Sequence, residues 1–377
     1  MRLGMMALVI ALFFAVYGGV HVYVFAKFHA LFRARRWLLT TALALLWLSV
    51  LAVEVLAHAG AAPAAVVPLA WVAYVWMGVV FLFFALSLAV DFVAVWARVG
   101  NAATLQQWLS EPARSVVVGV AALIVTSYGL IAAHDVTVER VTLTTTKLAT
   151  PLRIAQISDL HLGVLTNAQR VQRLVSDVNN LAPDVVVMTG DLVDMQMDHF
   201  EKFGAVLAQL HAPRGKYAVF GNHEVFAGLE GARAFIERAG FTLLSNAGVA
   251  VDDVINIVGV DDPAVQGLRA VPDIVESTLL AQYNGRRYTV LLKHQPIVAP
   301  DSRGRFDLQL SGHTHGGQIF PFGLLTKIVY RAPMGLSSVA PDSWLYVSRG
   351  SGTWGPPMRV LAPPEISLIE LVPQAAS

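Results

Sequence analysis

Four long apolar segments in the first third of the sequence constrain the fold more than any other feature. They run from Leu3 to about Ala26, from Trp37 to about Leu56, from Val66 to about Val95 and from Val116 to about Ala133. An α-helix needs about 20 apolar residues to cross the hydrocarbon core of a bilayer, so each segment is long enough. A cleaved signal peptide would explain only the first segment. We therefore predict an α-helical transmembrane domain of four spans over residues 1–134.

Charges between the segments predict the orientation of this domain. The loop of residues 58–65 contains no Lys or Arg, whereas the first and third loops are basic. Lys and Arg accumulate on the cytoplasmic side of membrane proteins, so we expect both termini and everything after Ala133 to lie outside the cytoplasm. The basic residues are Lys27, Arg33, Arg35, Arg36, Arg98 and Arg114.

Three ionisable residues, His21, Glu54 and Asp91, lie within or near the segments. Ionisable groups at membrane depth indicate a functional site by default. The alternative is that they lie near the interfaces or satisfy one another inside the helical bundle. A transport unit is disfavoured because the segments carry few charges and no pattern of interrupted helices.

The overall composition narrows the function classes. The chain is 55% hydrophobic and 14% charged, and its mean hydropathy is +0.58. A formal net charge of +1 gives no basis for a nucleic-acid partner. Because the chain contains no cysteine, a disulfide framework and a thiolate metal site are both excluded.

From about Asp135 onward, predicted strands alternate with amphipathic helices. Alternation of this kind indicates an α/β sandwich with sheets at its centre. Residues 135–150 are expected to form a connecting strand or linker, and residues 151–377 the second domain. The predicted strands are Val136–Leu143, Arg153–Ile157, Asp184–Met188, Lys216–Phe220, Ile255–Val260, Tyr288–Leu292, Phe306–Leu310, Leu345–Ser348 and Ile366–Leu371. The predicted helices are Ala168–Leu181 (with Asn167 as its N-cap), His199–Leu210 and Pro272–Ala281.

Polar motifs follow five of these strands directly. Strand carboxyl ends are where α/β folds place their sites, so we expect the five motifs to meet at one rim. Each short motif alone is weak evidence, but five in this order are a strong signal. The motifs are Ser158-Asp159-Leu160-His161, Thr189-Gly190-Asp191, Gly221-Asn222-His223-Glu224, Lys293-His294 and Ser311-Gly312-His313-Thr314-His315-Gly316-Gly317-Gln318.

Two of the motifs contain ligand-type residues two positions apart. Asp159 and His161, like His313 and His315, would point to the same side of an extended backbone and could reach one site. Glycines beside the two histidines leave room for unusual backbone angles. The alternative for the histidine pair is a polar turn without a function.

Together these motifs resemble the calcineurin-like metallophosphoesterase superfamily, over roughly residues 150 to 372. The resemblance implies a four-layered α/β/β/α sandwich with two divalent metal ions. It implies that Asp159, His161 and His315 hold the first metal, that Asn222, His294 and His313 hold the second, and that Asp191 bridges the two. Oxygen and imidazole ligands suit Mn²⁺, Fe or Zn²⁺. The late segments 348–357 and 363–365 resemble a membrane-anchored bacterial subgroup of the superfamily.

The resemblance assigns no metal to His223, which we expect to act as a general acid on the leaving oxygen. Asp194 matches a carboxylate that orients this histidine in related phosphatases; a loop or helix-capping role is the alternative. Glu224 is expected to be a local structural partner, and His199 and His211 match no motif. Phosphoprotein phosphatases of the superfamily carry Arg-Gly where this chain has Met195-Gln196, which argues against a protein-phosphatase activity.

The sequence therefore predicts a membrane-anchored phosphoesterase in the bacterial inner or cell membrane. It would hydrolyse phosphomono- or phosphodiesters through a metal-bridging hydroxide, since two metals can clamp the attacking and leaving oxygens. Its expected partners are the lipid bilayer and a phosphoester, with lipid-linked substrates preferred, and no nucleic acid. The alternative function is a non-catalytic membrane sensor or scaffold that binds a phosphorylated ligand, although every matched ligand position is present.

Overall fold

The structure is a computed structural model that describes residues 2–101, 113–194, 201–268, 275–283 and 285–374. The chain divides into two compact units. The first unit comprises residues 1–131 and 355–360, and the second comprises residues 132–354 and 361–377.

Four helices make up most of the first unit: α1 (Arg2–Phe28), α2 (Arg36–His58), α3 (Pro63–Val99) and α4 (Ala113–Ala132). Each contains a stretch long enough and apolar enough to cross a membrane. Most of their large apolar side chains are not buried, as expected where lipid rather than protein surrounds a helix. The prediction of four apolar helices of spanning length is confirmed.

The three ionisable residues predicted within or near the spans all have partners inside this unit. Trp76 donates from Nε1 to His21 Nε2 (2.9 Å), Tyr74 Oη donates to Glu54 (2.9 Å), and Lys27 Nζ donates to Asp91 (2.8 Å). Polar groups that satisfy one another in this way do not need water at membrane depth. The structural alternative is therefore favoured over a functional site within the bundle.

Two six-stranded sheets form the centre of the second unit. The first has the order β1-β12-β2-β3-β4-β5 and the second the order β10-β11-β9-β8-β7-β6. Their strands are β1 (Thr137–Thr145), β2 (Leu152–Ile157), β3 (Val185–Thr189), β4 (Lys216–Val219), β5 (Thr242–Leu243), β6 (Ala247–Val251), β7 (Ile255–Val260), β8 (Tyr288–Lys293), β9 (Leu308–Ser311), β10 (Gly335–Ala340), β11 (Ser343–Val347) and β12 (Glu365–Pro373).

Helices cover the outer faces of the sheets or lie in the connections between strands. The longest begins where predicted, because the Asn167 side chain accepts a hydrogen bond from the Arg170 amide (2.8 Å) and so caps its first turn. The helices are α5 (Ala168–Asn180), α6 (Glu201–Leu207), α7 (His223–Ala227), α8 (Leu229–Arg238), α9 (Pro263–Gln266), α10 (Glu276–Ala281) and α11 (Phe322–Tyr330).

The apolar residues of the second unit form three layers of core. Between the sheets, Ile154 and Val187 of the first sheet share one cluster with Val290 of the second. Outside the first sheet, a second cluster brings in Val171 of α5 and Phe235 of α8. Outside the second sheet, a third cluster brings in Leu279 and Leu280 of α10. The order is helix, sheet, sheet, helix, so the predicted four-layered α/β/β/α sandwich is confirmed.

Several elements differ from the sequence prediction. Strands β5, β6 and β10 and helices α7, α8, α9 and α11 were not predicted. The predicted helix His199–Leu210 is confirmed over Glu201–Leu207. Residues 195–200, including Met195, Gln196 and His199, lie outside the described residues, and the predicted end at Leu210 was wrong because residues 208–209 form a turn after the helix. The helix predicted from Pro272 to Ala281 is confirmed over Glu276–Ala281, with Val275 as its N-cap, and residues 269–274 lie outside the described residues.

Candidate metal centre

Five loops carry the predicted ligands to one place. Strands β2, β3 and β4 run parallel in the first sheet, and β7, β8 and β9 run parallel in the second. Carboxyl ends of parallel strands open at the same edge, so the residues that follow them gather there. Asp159, Asp191 and Asn222 follow β2, β3 and β4; His294 follows β8 and His313 follows β9.

The first ligand group consists of Asp159, His161 and His315, all of them buried. The Nε2 atoms of the two histidines lie 3.0 Å apart. His315 Nε2 lies 3.5 Å from a carboxylate oxygen of Asp159. These are the three residues that the family resemblance assigns to the first metal.

The second ligand group consists of Asp191, His294 and His313. His294 Nε2 lies 3.1 Å from Asp191 Oδ2 and 3.0 Å from His313 Nδ1. The side-chain oxygen of Asn222 lies 3.1 Å from the same His294 nitrogen. Asn222, His294 and His313 therefore converge, as the resemblance implies for the second metal.

Asp191 connects the two groups. Its Oδ2 atom lies 3.1 Å from His294 Nε2 and 3.7 Å from His161 Nε2, so one carboxylate oxygen faces both clusters. Burial alone would raise the pKa of Asp191, but His294, His223 and His161 together hold it well below its usual value. The side chain is therefore an anion at neutral pH, as a bridging ligand must be.

The histidine rings are held so that particular nitrogens are available to a metal. His294 Nδ1 lies 2.8 Å from the Thr189 carbonyl oxygen, and His161 Nδ1 contacts the Asp194 carboxylate. A ring whose Nδ1–H donates in this way keeps its Nε2 lone pair for a metal. The converging nitrogens and carboxylate oxygens are a donor set that fits two divalent cations of the Mn²⁺, Fe or Zn²⁺ type.

The backbone of these loops is not extended, which corrects one expectation. Asp159, His161, Asp191, His313 and His315 all have positive φ, between 48° and 71°. Non-glycine residues seldom adopt this region, and five of them close together is a concentration that is found at active sites. Left-handed turns after the strand ends therefore direct the side chains, and residues two apart need not share a side. His313 and His315 accordingly divide between the two ligand groups.

Two glycines allow the loops to approach this closely. A Cβ at Gly312 would lie 2.0 Å from Ser158 Oγ and 2.1 Å from Asp159 Oδ2. At Gly221 it would lie 2.2 Å from Asp191 Oδ1. Real Cβ atoms are never found at such distances, so the ligand carboxylates can lie where they do only because these two residues lack side chains.

Glu224 is a structural partner of the loop that carries Asp191, as expected. Its fully buried carboxylate accepts hydrogen bonds from the amides of Asp191 (3.1 Å) and Leu192 (2.7 Å). It also accepts from the amides of Val193 (3.2 Å) and Gly221 (2.7 Å). Four backbone donors are thus satisfied by one side chain, which ties the β3 loop to the β4 loop.

His223 lies beside the two ligand groups and is paired with Asp194. Its Nδ1 atom is 2.9 Å from Asp194 Oδ1. Burial opposes the charged ring, but the hydrogen bond to Asp194 and the charges of Asp191 and Asp194 raise the pKa of His223 to about 9. The ring is therefore protonated at neutral pH and can donate a proton. Asp194 also contacts His161, so one carboxylate orients both histidines.

Three aromatic residues at the site were missed by the sequence analysis. Phe226 and Trp354, both exposed, lie with their ring centroids 5.6 Å from that of His223. Tyr330 Oη lies 2.5 Å from His313 Nε2. Phe226 and Tyr330 belong to no motif, Trp354 lies in the late segment 348–357 without being assigned a role there, and no spacing in the sequence distinguishes the three from ordinary aromatic residues. His211 is exposed and lies outside the site.

Comparisons with known proteins agree with this geometry. Residues 152–317 match the family model of the calcineurin-like phosphoesterases. The chain is 35% identical to an uncharacterized metallophosphoesterase of Aquifex aeolicus over 66% of its own length and 97% of the relative's. It is 38% identical to an uncharacterized metallophosphoesterase of Helicobacter pylori, covering 60% of this chain and 62% of the relative.

A third relative is described as a transmembrane protein that contains the same kind of domain. The chain is 35% identical to a zebrafish (Danio rerio) transmembrane protein with metallophosphoesterase domain, over 58% of this chain and 53% of that protein. The chain thus spans little more than half the length of some relatives and nearly all of another. The family model matches this chain, and the Aquifex relative is matched over 97% of its length, so the chain belongs to the calcineurin-like phosphoesterase family.

Proposed function

We propose that this chain is a membrane-anchored phosphoesterase that depends on two divalent metals. The observation that carries the proposal is the position of Asp191, whose Oδ2 atom faces His161 of one ligand group and His294 of the other. Two cations held there would supply positive charge to the attacking and leaving oxygens of a phosphoester. Seven residues would hold them: Asp159, His161 and His315 for one, Asn222, His294 and His313 for the other, and Asp191 for both.

The remaining chemistry comes from the chain's own side chains. His223, protonated and 2.9 Å from Asp194, would donate its proton to the leaving oxygen as the phosphorus–oxygen bond breaks. Asp194 would hold the ring in place and stabilise its positive charge. Phe226 and Trp354 beside this ring would offer apolar contact to the leaving group. A phosphoester with an apolar portion therefore suits the site better than a free sugar phosphate.

The proposal includes the predicted location and orientation. The four apolar helices would anchor residues 1–134 in a bacterial inner or cell membrane, and residues 151–377 would act outside the cytoplasm. The basic loops after the first and third spans support this orientation. A carboxyl-terminal alkaline phosphatase fusion should be active in cells, and an inactive fusion would contradict the orientation.

Activity of the full chain tests the function. The purified protein in detergent micelles, supplied with Mn²⁺, should hydrolyse bis-p-nitrophenyl phosphate or p-nitrophenyl phosphate, and His313→Ala should abolish the activity. His211→Ala is the matched control, because His211 is exposed and lies outside the site. If no phosphoester is turned over with Mn²⁺, Fe²⁺ or Zn²⁺ while metal still binds, the alternative of a non-catalytic sensor or scaffold is favoured.

A further inference from the structure

Helix α11 has its apolar side on the outside. With about 100° between successive residues of an α-helix, Phe322, Leu324, Leu325, Ile328 and Val329 occupy an arc of roughly 160°. We call these five residues the apolar face of α11. Their exposed fractions are 47%, 54%, 50%, 71% and 63%, and no residue of the helix is buried.

The opposite side of the helix is the one that packs on the protein. Gly323, Thr326 and Tyr330 are partly buried, and they lie within one narrow arc of the helix. Gly323 lies against the turn after His315, since a Cβ at Gly317 would be 2.1 Å from the Gly323 nitrogen. A helix of a water-soluble domain turns its apolar side inward. Helix α11 does the reverse.

Basic residues accompany the apolar face. Lys327 lies within the helix and Arg331 directly follows it, and both are exposed. The described part of the helix and its two flanking residues contain no acidic side chain. An apolar face with Lys and Arg beside it is the pattern of helices that lie in the interface of a bilayer, where the basic groups meet anionic headgroups.

The helix also touches the metal centre. Tyr330, its last residue, places its hydroxyl 2.5 Å from Nε2 of His313, while Nδ1 of the same ring faces His294 at 3.0 Å. The position of α11 therefore affects the orientation of one predicted metal ligand.

We propose that the apolar face of α11 inserts into the interfacial region of a bilayer that contains anionic lipid, and that the metal centre takes phosphoesters whose apolar part stays in that bilayer. The second clause rests on the proposed function. A bilayer is the expected occupant because the same chain has four helices that are long and apolar enough to cross a membrane. The first strand of the second unit, β1, begins only a few residues after α4 ends. A lipid surface matches both the apolar face and the charge of Lys327 and Arg331.

Spin labels on the full chain test the first clause. The chain has no cysteine, so Ile328→Cys gives a single labelling site on the apolar face. Ala250→Cys is the control, since Ala250 is exposed on β6, at the edge of the second sheet farthest from β10. The protein is placed in nanodiscs of phosphatidylcholine with about 30% phosphatidylglycerol. The label at 328 should collide with oxygen and be shielded from a water-soluble nickel complex, whereas the label at 250 should show the opposite preference.

Two outcomes would overturn the insertion. Equal exposure of both labels to the nickel complex would mean that α11 lies in water. Shielding of the label at 328 from both oxygen and nickel, with dipolar broadening between labels, would mean that a second copy of the chain covers the face. Neither result depends on catalysis, so this clause can fail or stand independently of the proposed function.

Activity on two substrates tests the second clause. The double variant Leu324→Ser/Ile328→Ser should lose about tenfold or more of its turnover on a phospholipid in the same nanodiscs, because two apolar side chains no longer contribute to insertion. Its turnover of soluble bis-p-nitrophenyl phosphate should not change. Leu268→Ser, which removes an exposed apolar side chain elsewhere, is the control and should affect neither rate. Equal losses on both substrates, or no loss on the lipid, would refute a lipid-facing role.

Discussion

The close approach of Gly312 to Asp159 can be perturbed by adding a single methyl group. In Gly312→Ala the new Cβ would lie 2.1 Å from Asp159 Oδ2 and 2.0 Å from Ser158 Oγ. An ordinary carbon–oxygen contact needs about 3.4 Å, so the carboxylate would have to move by roughly 1.3 Å. Metal–ligand distances tolerate about 0.2 Å, so the displacement is several times larger than the first ligand group can absorb.

We therefore expect Gly312→Ala to lose the metal held by Asp159, His161 and His315 and to keep the other. Metal content of the purified full chain, measured by plasma mass spectrometry, should fall from two ions per chain toward one. Phosphoesterase activity should fall by at least about 10²-fold, the usual effect of misplacing a catalytic group by about 1 Å.

Gly163→Ala is the matched control, because a Cβ there would meet Asp194 Cβ at 3.5 Å, an ordinary contact. This variant should keep both metals and most of its activity. The reasoning would be refuted if Gly312→Ala retained two metals and normal turnover. It would also be refuted if both alanine variants lost metal equally, since the loss would then not come from the close contact with Asp159.

Three further predictions follow from other contacts of the site. Asp191→Ala removes the carboxylate that faces both ligand groups, so metal content should fall below two per chain and activity should fall by more than about 10³-fold; full metal content would contradict the bridging role. His223→Asn should keep both metals and lower kcat by about 10²–10³-fold on an alkyl phosphoester, whose leaving oxygen needs a proton, but much less on a p-nitrophenyl ester. Equal losses on the two esters would exclude a general acid. Glu224→Gln keeps only one of the two side-chain oxygens, so two of the four buried backbone amides lose their acceptor, at a cost of roughly 2–4 kcal/mol. The variant should lower the melting temperature by roughly 5–15 °C in scanning fluorimetry, whereas Glu230→Gln on the exposed side of α8 should change it little.

Much of the fold could be predicted because local patterns agreed with the tertiary environment. The spans were predicted from apolar length alone, since a bilayer imposes a length that few other environments require. The β3 and β8 strands were predicted because each contains a short continuous apolar run, residues 185–188 and 290–292, between turn residues. Helix α5 was predicted from its period and its Asn167 cap.

In the elements that were not predicted, the local sequence pattern does not match the environment in the folded protein. Helix α11 is apolar on the side away from the protein, so its pattern does not indicate a helix of a soluble domain. Strand β5 has only two residues, which is too short for a sequence pattern, and it is a strand only because it pairs with β4. In these cases long-range contacts, rather than local sequence, determine the conformation.

The site could be predicted residue by residue, but its geometry could not. The nine predicted residues lie together in the structure, although their individual roles remain predictions. The expectation of extended backbone at Asp159 and at His313 was wrong, because positive φ at these residues depends on contacts with loops far away in sequence. Tyr330 could not have been predicted, since it reaches His313 only through the packing of α11.

The pairing of β1 with β12 has a consequence for how the protein is made. Thr137 of β1 pairs with Glu365 of β12, and β12 in turn pairs with β2, so no hydrogen-bonded ladder joins β1 to β2 directly. During synthesis β1 is made early, but it stays unpaired until β12 has been made, because β12 lies between β1 and β2 in the sheet. The strand is polar, with Glu139, Arg140 and four threonines among its nine residues, and a polar strand of this kind would discourage wrong pairings before β12 is synthesised. Completion of the first sheet is therefore a late event, and a chain truncated before β12 would leave β1 without its partner strand.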